Sequence, residues 1–311
     1  MRFLVVGAGA LGGYFGGRLL QAGADVTFLL RPRRAEQLAR TGLVIRSPKG
    51  DFELKSPPAV QADAIAGPYD VVIVGCKAYD LAETMESFAP AVGPQTTILP
   101  LLNGMRHLDE LAQRFGNDRV IGGLCLISAA LDGEGRVLHL NDTHGLTYGE
   151  LDGTRSARVE AIEAVFSKVL FDASASVGIL QDMWEKWMFI ASAASMTCLM
   201  RASIGDIVEG GGSDIATAMF GECAAIAAHN GFAPRPQAVE RGRAMLTAAK
   251  SPVTASMFKD IERGARTEAD HIVGDLLRRG GDSPEQVSLL RVAMTHLKAY
   301  EVRRARESAA A

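Results

Sequence analysis

Gly7, Gly9 and Gly12 stand directly behind a short apolar run, Phe3 to Val6, and this G-x-G-x-x-G spacing restricts the chain to one kind of strand-turn-helix. Gly7 lets the chain leave a strand tightly, Gly9 lets backbone approach a pyrophosphate with no Cβ in the way, and Gly12 allows a helix to pack closely on the strand. A helix starting near Leu11, with the N–H groups of Ala10 and Leu11 at its mouth, then aims its positive end at the phosphates. A second apolar run, Val26 to Leu30, follows one helix later and completes a β-α-β unit. Arg2 ahead of fifteen uncharged residues also imitates a secretory signal peptide, but six glycines between Gly7 and Gly17 make a poor apolar helix. The nucleotide turn is the better reading.

Coenzyme type hangs on the end of the second strand, where NAD-binding folds place an acid on the ribose 2′-hydroxyl. Here the residues are Leu30, Arg31, Pro32, Arg33 and Arg34. A carboxylate would repel a 2′-phosphate, whereas a guanidinium holds it through charge-assisted hydrogen bonds. NADP is therefore expected, with Arg31 as its first contact and Arg33 or Arg34 as helpers. The competing reading is that these arginines only solvate a loop.

At 311 residues the chain exceeds the usual size of one domain, so two are expected. A net charge of −3 gives no electrostatic footprint for nucleic acid or an acidic membrane. Cys76, Cys125, Cys198 and Cys223 are scattered among apolar neighbours, as reduced core residues of a cytoplasmic protein are. The six histidines, including His139 and His144 in a loop-like stretch, show no metal-ligand spacing, so no metal is expected. The uncharged run Trp187 to Met200 is fourteen residues long, which suits a buried helix and falls short of a membrane span.

Strand-like and helix-like segments alternate through the N-terminal half. A hairpin is expected from Leu43 to Leu54, strands at Tyr69 to Gly75, Thr97 to Leu102 and Val120 to Leu126, and a helix at Leu81 to Phe88. This alternation predicts a mainly parallel, doubly wound sheet. Val137 to Leu140 and Leu146 to Tyr148 read as a further antiparallel pair, split by Asn141, Asp142 and Gly145. From Met183 onward strand patterns vanish, giving an expected boundary near 180 between an α/β domain (1–180) and an all-α domain (181–311). The Ala- and Arg-rich end from Val302 to Ala311 reads as a fraying helix terminus.

Ligands in such sheets bind beyond the carboxyl ends of the strands, which singles out Arg31, Lys77 after VVIVGC, and Asn103 in LPLLNGM. An Asn-Gly pair is also a common turn, so Asn103 has a local alternative.

With CKAYD at Cys76 to Asp80, LLNGM at Leu101 to Met105, WEKW at Trp184 to Trp187 and SMFKDIERGARTEADHI at Ser256 to Ile272, the chain resembles the ketopantoate reductases over nearly its full length. That resemblance implies a Rossmann-like doubly wound domain followed by an all-α C-terminal domain. It also implies NADPH-dependent reduction of a 2-oxo acid, 2-dehydropantoate (ketopantoate), to pantoate in pantothenate biosynthesis, by a homodimer. Under it, Lys186 matches the catalytic lysine and Glu268 the essential carboxylate. Asn103 and Ser256 match contacts to substrate or cofactor, and Lys77 a cofactor-side lysine.

The chemistry agrees with those residue types. Hydride delivery to a ketone builds negative charge on oxygen, and an ammonium serves as both proton donor and electrostatic stabiliser. Desolvation beside Trp184 and Trp187 would ease release of the Lys186 proton. Each residue also has a plain reading: Lys186 as a surface lysine, Glu268 as a solvated acid beside Arg266, Ser256 as a helix N-cap.

One departure concerns substrate. Where the family carries asparagines four and eight residues after the lysine, this chain has Ile190 and Ala194 on the same helical face, so the expected pocket wall is apolar. The segment at Pro284 also reads Pro-Glu-Gln in place of Pro-Thr-Asn. A related NADP-dependent enzyme for a more apolar 2-oxo acid therefore stands as an alternative, as does a non-catalytic NADPH-binding regulator.

Overall fold

The computed structural model describes residues 1–281 and 288–309, which fall into two compact units. Unit 1 holds residues 1–102 and 107–179, and unit 2 holds residues 103–106 together with the chain from Leu180 onward.

Unit 1 begins with β1 (Arg2–Val6), α1 (Ala10–Gln21), β2 (Asp25–Leu29), α2 (Pro32–Thr41), β3 (Leu43–Arg46), β4 (Phe52–Leu54) and β5 (Ala59–Val60). It continues through β6 (Val71–Val74), α3 (Leu81–Phe88), β7 (Thr97–Pro100), α4 (Arg106–Phe115), β8 (Gly122–Leu131), β9 (Val137–Gly149), α5 (Ala157–Phe166) and β10 (Asp172–Ala175).

Five strands form a parallel sheet in the order β5-β2-β1-β6-β7. Every residue of β6 and β7 is buried, as expected for strands covered on both faces. β1 lies between β2 and β6, so the chain order reverses at its carboxyl end, where Gly7 begins the glycine turn.

A second sheet runs β10-β9-β3-β4, with β8 paired antiparallel to β9. The expected hairpin is present as β3 and β4, with Leu43 opposite Leu54 and Ile45 opposite Phe52. Two readings need correction. Val137 to Tyr148 lies in one thirteen-residue strand, not a split pair, and the run that meets the parallel sheet at a Val120–Ile98 bridge continues as β8 to Leu131, the antiparallel partner of β9. His139 and His144 therefore sit on a strand, both buried, where the Tyr14 hydroxyl lies 2.8 Å from Nδ1 of His144. Burial lowers the His144 pKa, because the charged ring is poorly solvated there.

α1 packs against both sheets, and its glycines divide accordingly. A Cβ on Gly12 or Gly16 would strike the parallel sheet, at the Gly7 carbonyl and Phe28 respectively. One on Gly13 or Gly17 would strike Val137 or Ile45 of the second sheet. Four glycines thus let one helix approach two sheets at once, and Tyr14, Phe15 and Leu19 fill the remaining space at 0% exposure.

Among its described residues, unit 2 is helical apart from turns: α6 (Ile179–Met200), α7 (Ile204–Glu209), α8 (Ser213–His229), α9 (Pro236–Leu246), α10 (Ser256–Glu262), α11 (Asp275–Gly280) and α12 (Leu289–Ala309). A π-turn at Asp270–Gly274 precedes α11. The Val302 end stays helical to Ala309, and Ala310 and Ala311 lie outside the described residues. No helix among the described residues is long and apolar enough to cross a membrane.

Candidate active site

The glycine turn has the geometry a pyrophosphate needs. Gly7 adopts φ +87°, a conformation costly for other residues, and its N–H donates to the Leu29 carbonyl at 2.9 Å. Beyond its chain neighbours, no atom of the described residues lies within 4 Å of where a Gly9 Cβ would stand, whereas a Gly12 Cβ would meet the Gly7 oxygen at 2.1 Å. Gly9 is the N-cap of α1 and brings no side chain to satisfy its first N–H groups. A dinucleotide fits these features: an open approach at Gly9, Ala10 and Leu11 at the positive end of a helix, and a tight helix-strand contact behind them.

Arg31 caps α2 with its side chain exposed, 3.0 Å from Glu83 and 4.0 Å from Asp80. Such exposed pairs contribute about 0–1 kcal/mol, so a phosphate dianion can compete for this guanidinium. Arg34 differs from its expected helper role: Nε and Nη2 donate to the Ala8 carbonyl at 3.0 and 2.8 Å, and Nη2 also to the Gly135 carbonyl at 2.9 Å. Nη1 donates to Gln37 at 2.6 Å. With most of its donors engaged by protein, Arg34 is a brace of the turn rather than a side chain held ready for phosphate. Lys77 is half-buried at the carboxyl end of β6, at the start of a short 3₁₀ turn.

In unit 2, α6 carries Lys186 half-buried between enclosed Trp184 and Trp187. Lys186 Nζ donates to Asn103 Oδ1 at 2.9 Å. Two residues 83 positions apart, singled out separately by their motifs, thus meet in one hydrogen bond. The Asn-Gly pair also bends the chain, with Gly104 at φ +81°, as its local reading expects. On the same face of α6, Ile190 is half-buried and Ala194 is enclosed at 3% exposure.

Glu268 immediately precedes the turn of helix leading into Asp270–Gly274 and is 9% exposed, which corrects the solvated-acid reading. Its carbonyl accepts from the His271 and Ile272 N–H groups, at 3.1 and 2.9 Å. The π-turn that follows leaves the Ile272 carbonyl to accept from Trp187 Nε1 at 2.9 Å, tying the turn after Glu268 to the residue beside Lys186. Just before Glu268, the N–H and hydroxyl of Thr267 both donate to Glu301, at 2.6 and 2.7 Å. Ser256 is exposed at the first position of α10, whose N-cap is Ala255, so the N-cap reading of the serine is corrected. The Pro284 departure lies outside the described residues.

Glu185 lies within the WEKW motif, but its spacing alone assigns it no role. Burial acts to raise its pKa, yet hydrogen bonds from the Arg235 side chain and backbone and from Gln181 outweigh that and lower it. Arg235 approaches with Nε and N–H at 2.8 Å and Nη2 at 2.6 Å, and reaches Asp182 as well. The carboxylate next to Lys186 is thereby committed to anchoring α6.

Comparison with known proteins gives this geometry its context. Residues 3–153 match the family model described as ketopantoate reductase PanE/ApbA, and residues 178–301 match the model of its C-terminal part. The chain belongs to the ketopantoate reductase family. A Bacillus subtilis relative named uncharacterized oxidoreductase YkpB is 38% identical, over 97% of this chain and 99% of its own. The crystal structure of 2-dehydropantoate 2-reductase from Methylococcus capsulatus superimposes with a TM-score of 0.86 at 27% identity, covering 98% of both chains. A D-mandelate dehydrogenase solved with NADH and anilino(oxo)acetate shares the fold alone, with a TM-score of 0.87 at 20% identity over 98% and 99% of the chains.

Ketopantoate reductases are NAD(P)-dependent oxidoreductases, and the glycine turn of this member fits such a coenzyme. Its fold class, a Rossmann-like N-terminal part and a helical C-terminal part, is the one expected. Arg34, Glu185, Trp187 and Thr267 are the residues of this member that spacing alone did not assign, since each acts through a partner distant in sequence.

Proposed function

We propose that the chain reduces a 2-oxo acid to the 2-hydroxy acid with NADPH, with 2-dehydropantoate as its first candidate substrate. The observation that carries this reading is the Lys186–Asn103 hydrogen bond, which joins the two most chemically loaded motifs. When bound, a reduced nicotinamide would supply the hydride for C2 of the substrate. Lys186 donates a proton from Nζ to the developing alkoxide, so the carbonyl becomes a hydroxyl. An ammonium has three N–H donors, so the bond to Asn103 restrains the Lys186 head group without using all of its donor capacity. Glu268 assists as a buried carboxylate near the end of the Thr267 tether, and Ser256 contacts substrate from the start of α10.

On the coenzyme side, Gly7, Gly9, Ala10, Leu11 and Gly12 form the phosphate turn, Arg31 takes the 2′-phosphate, and Lys77 approaches from β6. Residues 1–180 serve as the NADP-binding domain and 181–311 as the substrate domain. The assembly is a homodimer, and sedimentation equilibrium at a mass near the monomer's 33.1 kDa would overturn that.

A second reading, reduction of a more apolar 2-oxo acid, is favoured by Ile190 and Ala194. A site without a partner for the substrate hydroxyl does not reward it, and rejects it by only about a hundredfold. NADPH oxidation followed with 2-dehydropantoate beside branched 2-oxo acids lacking the hydroxyl tests both. Turnover of 2-dehydropantoate at comparable or higher kcat/KM supports the first reading, and a preference for the branched acids above about tenfold supports the second. NADPH binding with no turnover of any member would sink both in favour of a regulator.

A further inference from the structure

We propose that Arg34 is the positioning residue of the coenzyme turn: its guanidinium pins the Ala8 carbonyl and so aims the Gly9 N–H at the phosphates. Arg34 has this role only if a nicotinamide dinucleotide binds at the glycine turn, as proposed above.

The geometry follows from one peptide plane. Nε and Nη2 of Arg34 both donate to the Ala8 oxygen, at 3.0 and 2.8 Å. In a trans peptide the C=O and the following N–H point in opposite directions, so holding the Ala8 oxygen toward α2 sends the Gly9 N–H away from it. On Gly9 nothing lies within 4 Å of a built Cβ, so a ligand can come close. Without the clamp the Ala8–Gly9 plane is free to rotate about a glycine, and an outward carbonyl would repel the same phosphates.

Arg34 is itself held on three sides. Nη1 donates to Gln37 Oε1 at 2.6 Å, while Gln37 Nε2 donates to the Glu134 carbonyl at 2.9 Å. Nη2 reaches the Gly135 carbonyl in the turn joining β8 to β9. A Cβ on Gly135, which has φ +80°, would come within 2.3 Å of Nη1, so that turn is shaped around the guanidinium. These bonds tie the first turn of α2 and the β8–β9 turn to one carbonyl of the nucleotide loop. The clamp addresses a feature common to both coenzymes, whereas Arg31 addresses a 2′-phosphate that only one of them has.

Titration of purified protein with NADPH and NADH, read by quenching of tryptophan fluorescence and paired with melting curves, separates the two arginines. Arg34→Gln is expected to weaken both coenzymes by about tenfold, with their affinity ratio held within about twofold. Arg34→Lys, which keeps a cation and one donor for the carbonyl, recovers part of that loss for both. Arg31→Ala weakens NADPH while sparing NADH. Selective loss of NADPH in Arg34→Gln makes Arg34 a phosphate ligand and overturns the positioning role, as does wild-type affinity for both coenzymes. Should Arg34→Gln fail to fold, Arg34→Lys alone decides by the same criteria: a shared loss supports the role, and a selective or absent loss overturns it. An unchanged ratio in Arg31→Ala sinks the NADP assignment and leaves Arg34 standing. A wild-type protein that binds neither coenzyme sinks the coenzyme reading and Arg34 with it.

Discussion

Lys186→Ala is expected to lower kcat by about 10²- to 10⁴-fold, the range for losing a positioned general acid, while NADPH affinity stays within about twofold. The loss corresponds to roughly 3–5 kcal/mol of transition-state stabilisation. Nothing else within the WEKW motif substitutes, because Glu185 is held by Arg235 and the indole N–H of Trp187 by Ile272. Lys186→Arg keeps the charge but not the chemistry, since a guanidinium does not release its proton, so it is expected to rescue little. Both variants should fold, because Lys186 is only half-buried. Steady-state oxidation of NADPH with the best substrate of the panel, beside a fluorescence titration, checks the split. Turnover near wild type in Lys186→Ala would remove the lysine from the mechanism.

Gly12→Ala should act on fold and coenzyme binding together. The added methyl would lie 2.1 Å from the Gly7 oxygen, 3.2 Å from its carbonyl carbon and 3.3 Å from Val5, all parts of one strand end. Relief by moving α1 away is blocked, because Gly13 and Gly17 already bring its other side against Val137 and Ile45. Relief by moving the strand end is resisted by the Gly7 bond to Leu29. Overpacking of this kind costs about 3 kcal/mol, or roughly 6–12 °C in Tm for a large domain. Coenzyme affinity should fall more than about tenfold as the turn opens. Gly9→Ala is the contrast, since its methyl meets no protein atom: melting should be unchanged while coenzyme binding weakens. A Gly12→Ala protein with wild-type Tm and affinity would show that the close approach has no consequence.

Much of the fold was legible wherever a local pattern carried it. The β-α-β opening, the hairpin from Leu43 to Leu54 and the helix Leu81–Phe88 all rest on short-range periodicity or turn residues, and all are present. β9 was not legible, because Asn141 and Gly145 are turn-forming types. The strand accommodates Asn141 by using its side chain as a hydrogen-bond acceptor for Ser128, beside a bulge between Ile127 and Ala129. The second role of the α1 glycines was hidden for another reason: a phosphate turn already explains glycine at that point, and the sheet behind Gly13 and Gly17 forms from strands far along the chain.

In the candidate site the residue types were legible and the partners were not. Lys186 and Asn103 could be named from their motifs, but their meeting joins residues 83 positions apart. Glu185 and Arg235 lie fifty positions apart with no periodicity linking them. Arg34 stood in plain view beside Arg31, and only the direction of its guanidinium separated a brace from a ligand.

β1 occupies the middle of its sheet although it precedes both strands that flank it, and β6, on one side, ends only at Val74. During synthesis at about 5–20 residues per second, the apolar strand leaves the ribosome several seconds before that flank can be made. For this interval Phe3 to Val6 can pair with β2 alone and keeps an unpaired hydrophobic edge on the β6 side. A nascent chain of this protein is therefore exposed to chaperone capture and to aggregation at Phe3 to Val6, and slowing translation before the codon of Val74 lengthens that exposure.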